Sequence, residues 1–314
     1  MKHIYYLFPV LVGALFLSTL PAVASQRGCD AHIKLQDYEP NTVVMRNDDN
    51  DEPNLSFTIS QMIPMFHGGC FGDKSKQKEW WVVPYFALTA QFGFYVHTRE
   101  SSPVVGKRFN PKLFVRRWLG DHGNYIDVGY AHESNGQSIS TQEAYLKKKA
   151  DILAKDEREE IANDYLSRGW DYVDVIAKYS TAVNQYGFTN SIYFKGKYFF
   201  SNGLLQGEPE EFNDWETDEG KSRSEVDGIT IMLKTTNISD QKNSRFKGVL
   251  LYTTGYESIF EYNTVGVELT FKPGDWPPFF LWASKGYKAD LSDYYKDITS
   301  FGFGVELRNF LDDY

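Results

Sequence analysis

The sequence predicts an all-β protein, a twelve-stranded antiparallel transmembrane β-barrel with a helical excursion at about residues 141–166. Three observations lead to this fold class. About twelve segments of roughly 10 residues alternate between apolar and polar or glycine positions, which is the length that a tilted membrane-spanning strand needs. Aromatic residues make up 16% of the chain, with 21 Tyr and 23 Phe, and many lie near segment ends. The final alternating strand leads to an aromatic residue, Tyr314.

The amino terminus has the pattern of a secretory signal peptide. Lys2 and His3 precede an apolar run at 4–20, and a short Pro-Ala-Val-Ala sequence ends at Ala24. A basic start, a short apolar stretch and small residues before the cleavage point are typical of exported proteins. We therefore predict a signal peptide at residues 1–24 and a barrel domain at residues 25–314.

Two cysteines, Cys29 and Cys70, follow the predicted signal peptide. No Cys-x-x-Cys motif or cluster of histidines accompanies them, so the sequence favours a disulfide bond over a metal pair in an exported chain. Mass spectrometry without reductant tests this pairing.

Net charge and apolar run length exclude two classes of protein. The formal net charge is −9, and an acidic protein would repel the phosphates of nucleic acid. No segment after residue 24 has about 18 consecutive apolar residues, so a helical membrane protein is also excluded. Alternation alone does not separate a soluble β-sandwich from a barrel, because both have one apolar and one polar face. Segment length and aromatic content favour the barrel.

The alternating segments account for most of the chain after residue 42. The last one places Phe301, Phe303 and Val305 on one face and Gly302 and Gly304 on the other. In chain order the segments lie at 55–65, 80–98, 110–119, 125–136, 171–179, 191–200, 228–234, 244–253, 264–271, 279–287 and 299–309, after a polar stretch with one short apolar piece at 42–45. The stretch 141–166 instead is charged and helix-prone with a thin apolar stripe, which predicts an exposed, mobile helical excursion between two strands.

Candidate catalytic residues lie at the ends of two of these strands. In segment 125–136, His132 and Ser134 fall on the same face as Ile126 and Val128. On the next strand Asp171 also lies at the end of an apolar face. A single His-x-Ser is usually just a polar strand end. A carboxylate, a histidine and a serine on adjacent strands instead indicate acyl transfer, in which the histidine deprotonates the serine.

Two short motifs resemble the outer-membrane phospholipase A family. They are Gly-Tyr-Ala-His-Glu-Ser-Asn-Gly at 129–136 and Ser-Arg-Gly-Trp-Asp at 167–171, within a likeness that covers about residues 40–314. The resemblance implies a calcium-dependent enzyme of the bacterial outer membrane that hydrolyses acyl esters of phospholipids and lysophospholipids. It also implies activation by formation of a homodimer.

The resemblance assigns roles to the catalytic residues. Ser134 would be the nucleophile, His132 the base and Asp171 the residue that orients the imidazole, where the family's best-known form has asparagine. An aspartate still accepts the imidazole hydrogen bond and stabilises the imidazolium more strongly. The amide of Gly136 would donate to the oxyanion.

The resemblance also assigns calcium ligands. They would be the Ser167 hydroxyl, the backbone carbonyl of Gln137 and Ser101 of the partner subunit, a set of hard oxygen donors that suits calcium. Two other functions stay open at this point. One is a lipid A deacylase, whose small barrels also use a His-x-Ser pair, and the other is a non-catalytic pore or structural barrel.

Overall fold

The computed structural model describes residues 35–48, 53–65, 82–96, 104–119, 123–155, 159–210, 220–237, 245–274, 276–287 and 290–307. The predicted signal peptide, Cys29, Cys70 and Ser101 lie outside these residues. The strands are β1 (Gln36–Asp37), β2 (Thr42–Asp48), β3 (Asn54–Pro64), β4 (Val82–Tyr95), β5 (Val105–Leu119), β6 (Asn124–Ser134), β7 (Gly169–Ser180), β8 (Phe188–Phe199), β9 (Gly228–Asn237), β10 (Arg245–Gly255), β11 (Asn263–Lys272), β12 (Phe279–Tyr287) and β13 (Asp297–Glu306). The helices are α1 (Gln142–Leu153), a 3-10 helix (Glu159–Tyr165) and α2 (Arg223–Val226).

Within the described residues, strands β2 to β13 form a closed antiparallel barrel of twelve strands. Each of them pairs with the next along the chain, and β13 pairs with β2, with Ser300 opposite Asp48. Strand β1 adds two residues beside β3, where Gln36 pairs with Met62. Closure satisfies backbone N–H and C=O groups between strands, which the interior of a bilayer requires. The predicted fold class is confirmed.

The outer wall of the barrel is apolar. Side chains alternate along each strand, and one parity faces outward while the other faces the lumen. The exposed apolar side chains on the strands include Ile59, Phe86, Leu88, Leu113, Val115, Ile192, Phe194, Ile231, Leu233, Leu250, Val267, Leu269, Leu281, Phe301 and Phe303. A band of this extent would be costly in water but suits lipid. The predicted location, an integral barrel of the outer membrane, is therefore confirmed.

Buried ion pairs join nearby strands on the inner face of the barrel wall. Arg116 Nε donates to Asp127 Oδ1 at 2.7 Å, and Lys112 Nζ donates to Asp174 Oδ2 at 2.6 Å. All four side chains are almost fully buried. A charge removed from water is tolerated only when it is paired in this way. The lumen is thus a packed polar interior along this part of the wall, with a cavity of about 730 Å³ beside Arg116.

Aromatic side chains fill the lumen at the end where β6 ends and β7 begins, which we call the upper end. Trp170 and Tyr172 point inward from β7 and pack with Leu291, Tyr294 and Tyr295 in one buried cluster. The rings of Trp170 and Tyr294 meet edge to face with centroids 5.3 Å apart. This cluster supports the strand ends at the upper end from the inside.

The excursion between β6 and β7 is helical, as predicted, and its first helix is largely exposed, but part of the excursion is buried. Helix α1 begins after Thr141, whose hydroxyl accepts a hydrogen bond from the amide of Ala144. Tyr145, Ile152 and Ile161 are buried in a small core that the excursion forms around itself. The predicted apolar stripe is wrong within helix α1, because Leu146 and Leu153 are exposed. Tyr145 and Ile152, on another face of the helix, pack against the 3-10 helix instead. Among the described helices, none is long and apolar enough to cross a membrane.

Candidate active site

Strands β6 and β7 bring His132 and Asp171 together. The two strands pair in antiparallel register, with His132 directly opposite Asp171 and Ser134 opposite Gly169. The parity of β6 turns Asp127 and Glu133 into the lumen, where both are buried, and turns His132 and Ser134 outward. The predicted adjacency of the two strands and the predicted outward face are both observed.

A hydrogen bond joins the imidazole to the carboxylate. His132 Nδ1 donates to Asp171 Oδ1 at 2.8 Å. Because a carboxylate only accepts, this bond puts the proton on Nδ1 and leaves Nε2 free to accept one. Ser134 follows on the same face of the strand, with its Cα about 6.6 Å from that of His132 at strand rise. Among the described residues, the Ser134 hydroxyl makes no hydrogen bond, to His132 or to any other group.

Three further donors hold the other carboxylate oxygen of Asp171. Oδ2 accepts from the Tyr130 hydroxyl at 2.5 Å, from the amide of Leu205 at 2.6 Å and from the amide of Gln206 at 3.0 Å. With four donors and no acceptor around it, the group is built to be an anion. These three partners were not predicted from the sequence. Tyr130 could have been found from its parity with His132, whereas no local pattern points to the two amides.

The chain after Ser134 is fixed by Asn135. Its Oδ1 accepts from the amides of Arg168 at 3.0 Å and Gln137 at 3.2 Å, and its Nδ2 donates to the carbonyl of Leu166 at 2.7 Å. Gly136 lies between them with φ of 59°, a left-handed conformation that glycine adopts without strain. Asn135 therefore holds the segment that carries the predicted oxyanion donor.

The predicted calcium ligands are only partly within the described chain. The hydroxyl of Ser167 donates to Glu210 Oε2 at 2.5 Å, and Gln137 lies on the neighbouring segment held by Asn135. The described residues contain no group of three or more His, Cys, Asp and Glu that could hold a metal ion. A hydroxyl, a carboxylate and a backbone carbonyl are nevertheless the hard oxygens that calcium prefers, so the donor types at this position fit the ion. Glu210 lies in the acidic stretch 208–218, where the resemblance implies a second, weaker calcium site without assigning a residue to it.

Fold and location define this chain as an outer-membrane β-barrel protein with histidine, aspartate and serine on its lipid-facing wall. It is similar to outer membrane phospholipase A from Escherichia coli, with 16% sequence identity and a TM-score of 0.56 over 89% of this chain and 94% of that one. It is also similar to the calcium-bound dimer of outer membrane phospholipase from Salmonella typhi, with 17% identity and a TM-score of 0.57 over 90% and 95% of the two chains. No protein-family model and no curated protein sequence matches it. At these identities the likeness is one of fold.

Proposed function

We propose that this protein is a phospholipase A of the outer membrane, which hydrolyses acyl ester bonds of phospholipids and lysophospholipids. The observation that carries the proposal is the hydrogen-bonded His132–Asp171 pair beside Ser134 on the lipid-facing wall. Polar side chains such as His132 and Ser134 are energetically unfavourable on a lipid-facing wall, which indicates that they have a function there. The acyl chains of a phospholipid substrate lie in the same layer of the membrane. Similarity in fold to solved phospholipases supports the same reaction class.

The reaction follows from the roles of these three side chains. Ser134 Oγ attacks the ester carbonyl carbon while His132 Nε2 accepts its proton, and Asp171 stabilises the imidazolium that forms. The Gly136 amide donates to the oxyanion. Collapse of the tetrahedral intermediate breaks the ester bond, and His132 returns the proton to the leaving alkoxide. Water, deprotonated by His132, then cleaves the acyl-serine and releases a fatty acid.

Calcium and a second subunit complete the proposal. The Ser167 hydroxyl, the Gln137 carbonyl and Ser101 of the partner subunit would hold the ion, and the Glu210 carboxylate beside Ser167 would add a negative charge to the ligand set. When bound, calcium would supply positive charge near the oxyanion. The Salmonella typhi protein is a calcium-bound dimer, which supports activation of this chain by dimerisation.

Hydrolysis of phospholipid in detergent micelles tests the proposal, with and without calcium. We expect Ser134→Ala to abolish activity and Ser138→Ala, a control at an exposed serine four residues further on, to leave it unchanged. Equal activity of the native protein and Ser134→Ala would refute the mechanism. Activity that persists in a calcium chelator would refute only the metal assignment, and full activity of dilute monomers would refute dimer activation.

The same assay separates the two alternative functions. A lipid A deacylase would release acyl chains from lipid A but none from phospholipid, and a pore would turn over neither. The buried cluster around Trp170 and Tyr294 fills the lumen at the upper end, which argues against a pore. Phospholipid turnover that depends on Ser134 would exclude both alternatives.

A further inference from the structure

The segment that follows β8 folds back over the outer wall at the upper end. We call residues 201–210 the cover loop. It leaves β8 beside Phe200, whose ring stacks on Tyr130 with centroids 5.9 Å apart, and it returns to pair with β7 through Glu210 and Gly169. The loop therefore spans the outward face of β6 and β7 at the position of Asp171.

Contacts between the cover loop and Asp171 are close and specific. The amides of Leu205 and Gln206 donate to the carboxylate, and the amide of Leu204 donates to the Tyr130 hydroxyl at 2.7 Å. A Cβ atom on Gly203 would lie 2.2 Å from Asp171 Oδ2, so a side chain there would collide with the carboxylate. The orientation of Asp171 thus depends on the conformation of this loop.

Two leucine side chains at the tip of the cover loop point away from the protein. Leu204 is 86% exposed and Leu205 is 66% exposed, although their amides are tied down on the outer wall. The outer wall reaches the loop through Tyr130, whose hydroxyl accepts from the Leu204 amide, and through Phe200, whose ring stacks on Tyr130. Burial of a leucine side chain in an apolar phase is favourable, so two adjacent exposed leucines beside this wall would be stabilised by contact with lipid.

We propose that Leu204 and Leu205 enter the acyl-chain layer of the membrane and that this contact holds the cover loop on Asp171. Lipid binding and the orientation of the His132 imidazole are then coupled through the amides of Leu205 and Gln206. Leu204 and Leu205 are positioning residues, since neither touches the reacting atoms. The first half of the proposal concerns lipid contact alone, and the second half rests on the proposed function.

Fluorescence quenching tests the lipid contact independently of activity. A bimane label is attached at Leu205→Cys in a Cys29→Ser, Cys70→Ser background, and the protein is reconstituted in vesicles with brominated acyl chains. We expect quenching as strong as that of a label at Leu269→Cys on the lipid-facing wall. A label at Glu143→Cys, on exposed helix α1, provides the unquenched control. Quenching at Leu205 no stronger than at Glu143 would overturn the proposal.

Kinetics test the coupling. For the double variant Leu204→Ser, Leu205→Ser on vesicle phospholipid, we expect kcat to fall about 10-fold or more and the apparent KM to rise. Without the leucine contact to lipid, the loop would no longer be held on Asp171. Leu204→Met, Leu205→Met should restore both constants. A rise in KM with kcat unchanged would show that the leucines bind lipid without positioning Asp171, and would overturn the coupling. A native protein that hydrolyses no lipid would overturn the proposed function and the coupling together, while quenching would still decide the lipid contact.

Discussion

Replacement of Asp171 by asparagine tests the site most sharply. Both oxygens of the carboxylate accept hydrogen bonds, whereas an asparagine side chain has one acceptor oxygen and one donor nitrogen. In one orientation its oxygen faces the amides of Leu205 and Gln206 and its Nδ2 faces His132. The imidazole must then carry its proton on Nε2, where it cannot accept the proton of Ser134. In the other orientation Nδ2 confronts two backbone N–H donors, and leaving both unsatisfied costs about 2–6 kcal/mol. The first orientation is therefore favoured, and its wrong tautomer should lower kcat by about 10³–10⁴-fold.

The assay is phospholipid hydrolysis in micelles over a range of substrate concentrations, together with heat-induced loss of the compact barrel on a gel. We expect kcat to fall, the unfolding temperature to change little, and Asp151→Asn on exposed helix α1 to behave as the native protein. The sequence alone favours the opposite result, because the family's best-known form has asparagine at this position. A kcat for Asp171→Asn within tenfold of the native value would show that the carboxylate does not set the tautomer of His132, and the reasoning would be wrong.

Three further predictions follow from neighbouring contacts. Tyr130→Phe removes one hydrogen bond to a charged group, worth about 1.5–3 kcal/mol, and should lower kcat on phospholipid about 10- to 100-fold without unfolding the barrel; unchanged kcat would contradict it. Gly203→Ala should displace Asp171 and lower kcat at least as much as Tyr130→Phe does. Gly248→Ala is the control: the nearest atom lies 3.9 Å from its new Cβ, so kcat should not change. Arg116→Met leaves buried Asp127 unpaired and should destabilise the barrel by about 3–5 kcal/mol, read from the unfolding temperature; an unchanged temperature would refute the pairing.

Alternation along the strands was enough to predict the barrel and the wall on which the site lies. Since the side-chain period of a strand is two, the apolar residues Ile126 and Val128 determine that His132 faces outward and that Glu133 faces the lumen. Chain order then made β6 and β7 neighbours, and their tight register brought Asp171 opposite His132. These parts of the site depend on periodic, local information.

The remaining parts of the site depend on contacts that no periodic pattern encodes. The amides of Leu205 and Gln206 reach Asp171 from a loop more than thirty residues further along the chain, and backbone donors carry no residue signature. The role of Asn135 could not be predicted either, because it depends on hydrogen bonds to backbone groups of Leu166, Arg168 and Gln137. The small core of the excursion was missed because Tyr145 and Ile152 pack with Ile161, whereas the sequence pattern pointed to Leu146 and Leu153, which are exposed.

Hydrogen bonds at the base of the excursion join its two ends to each other. Beyond Ser134 the amide of Asn135 donates to the carbonyl of Arg168 at 3.1 Å, and Ile139 forms a parallel bridge with Leu166. The polypeptide between these two bridging residues is thus attached to a hairpin that is already closed at its base. We expect that shortening or replacing it would leave the register of β6 and β7 unchanged.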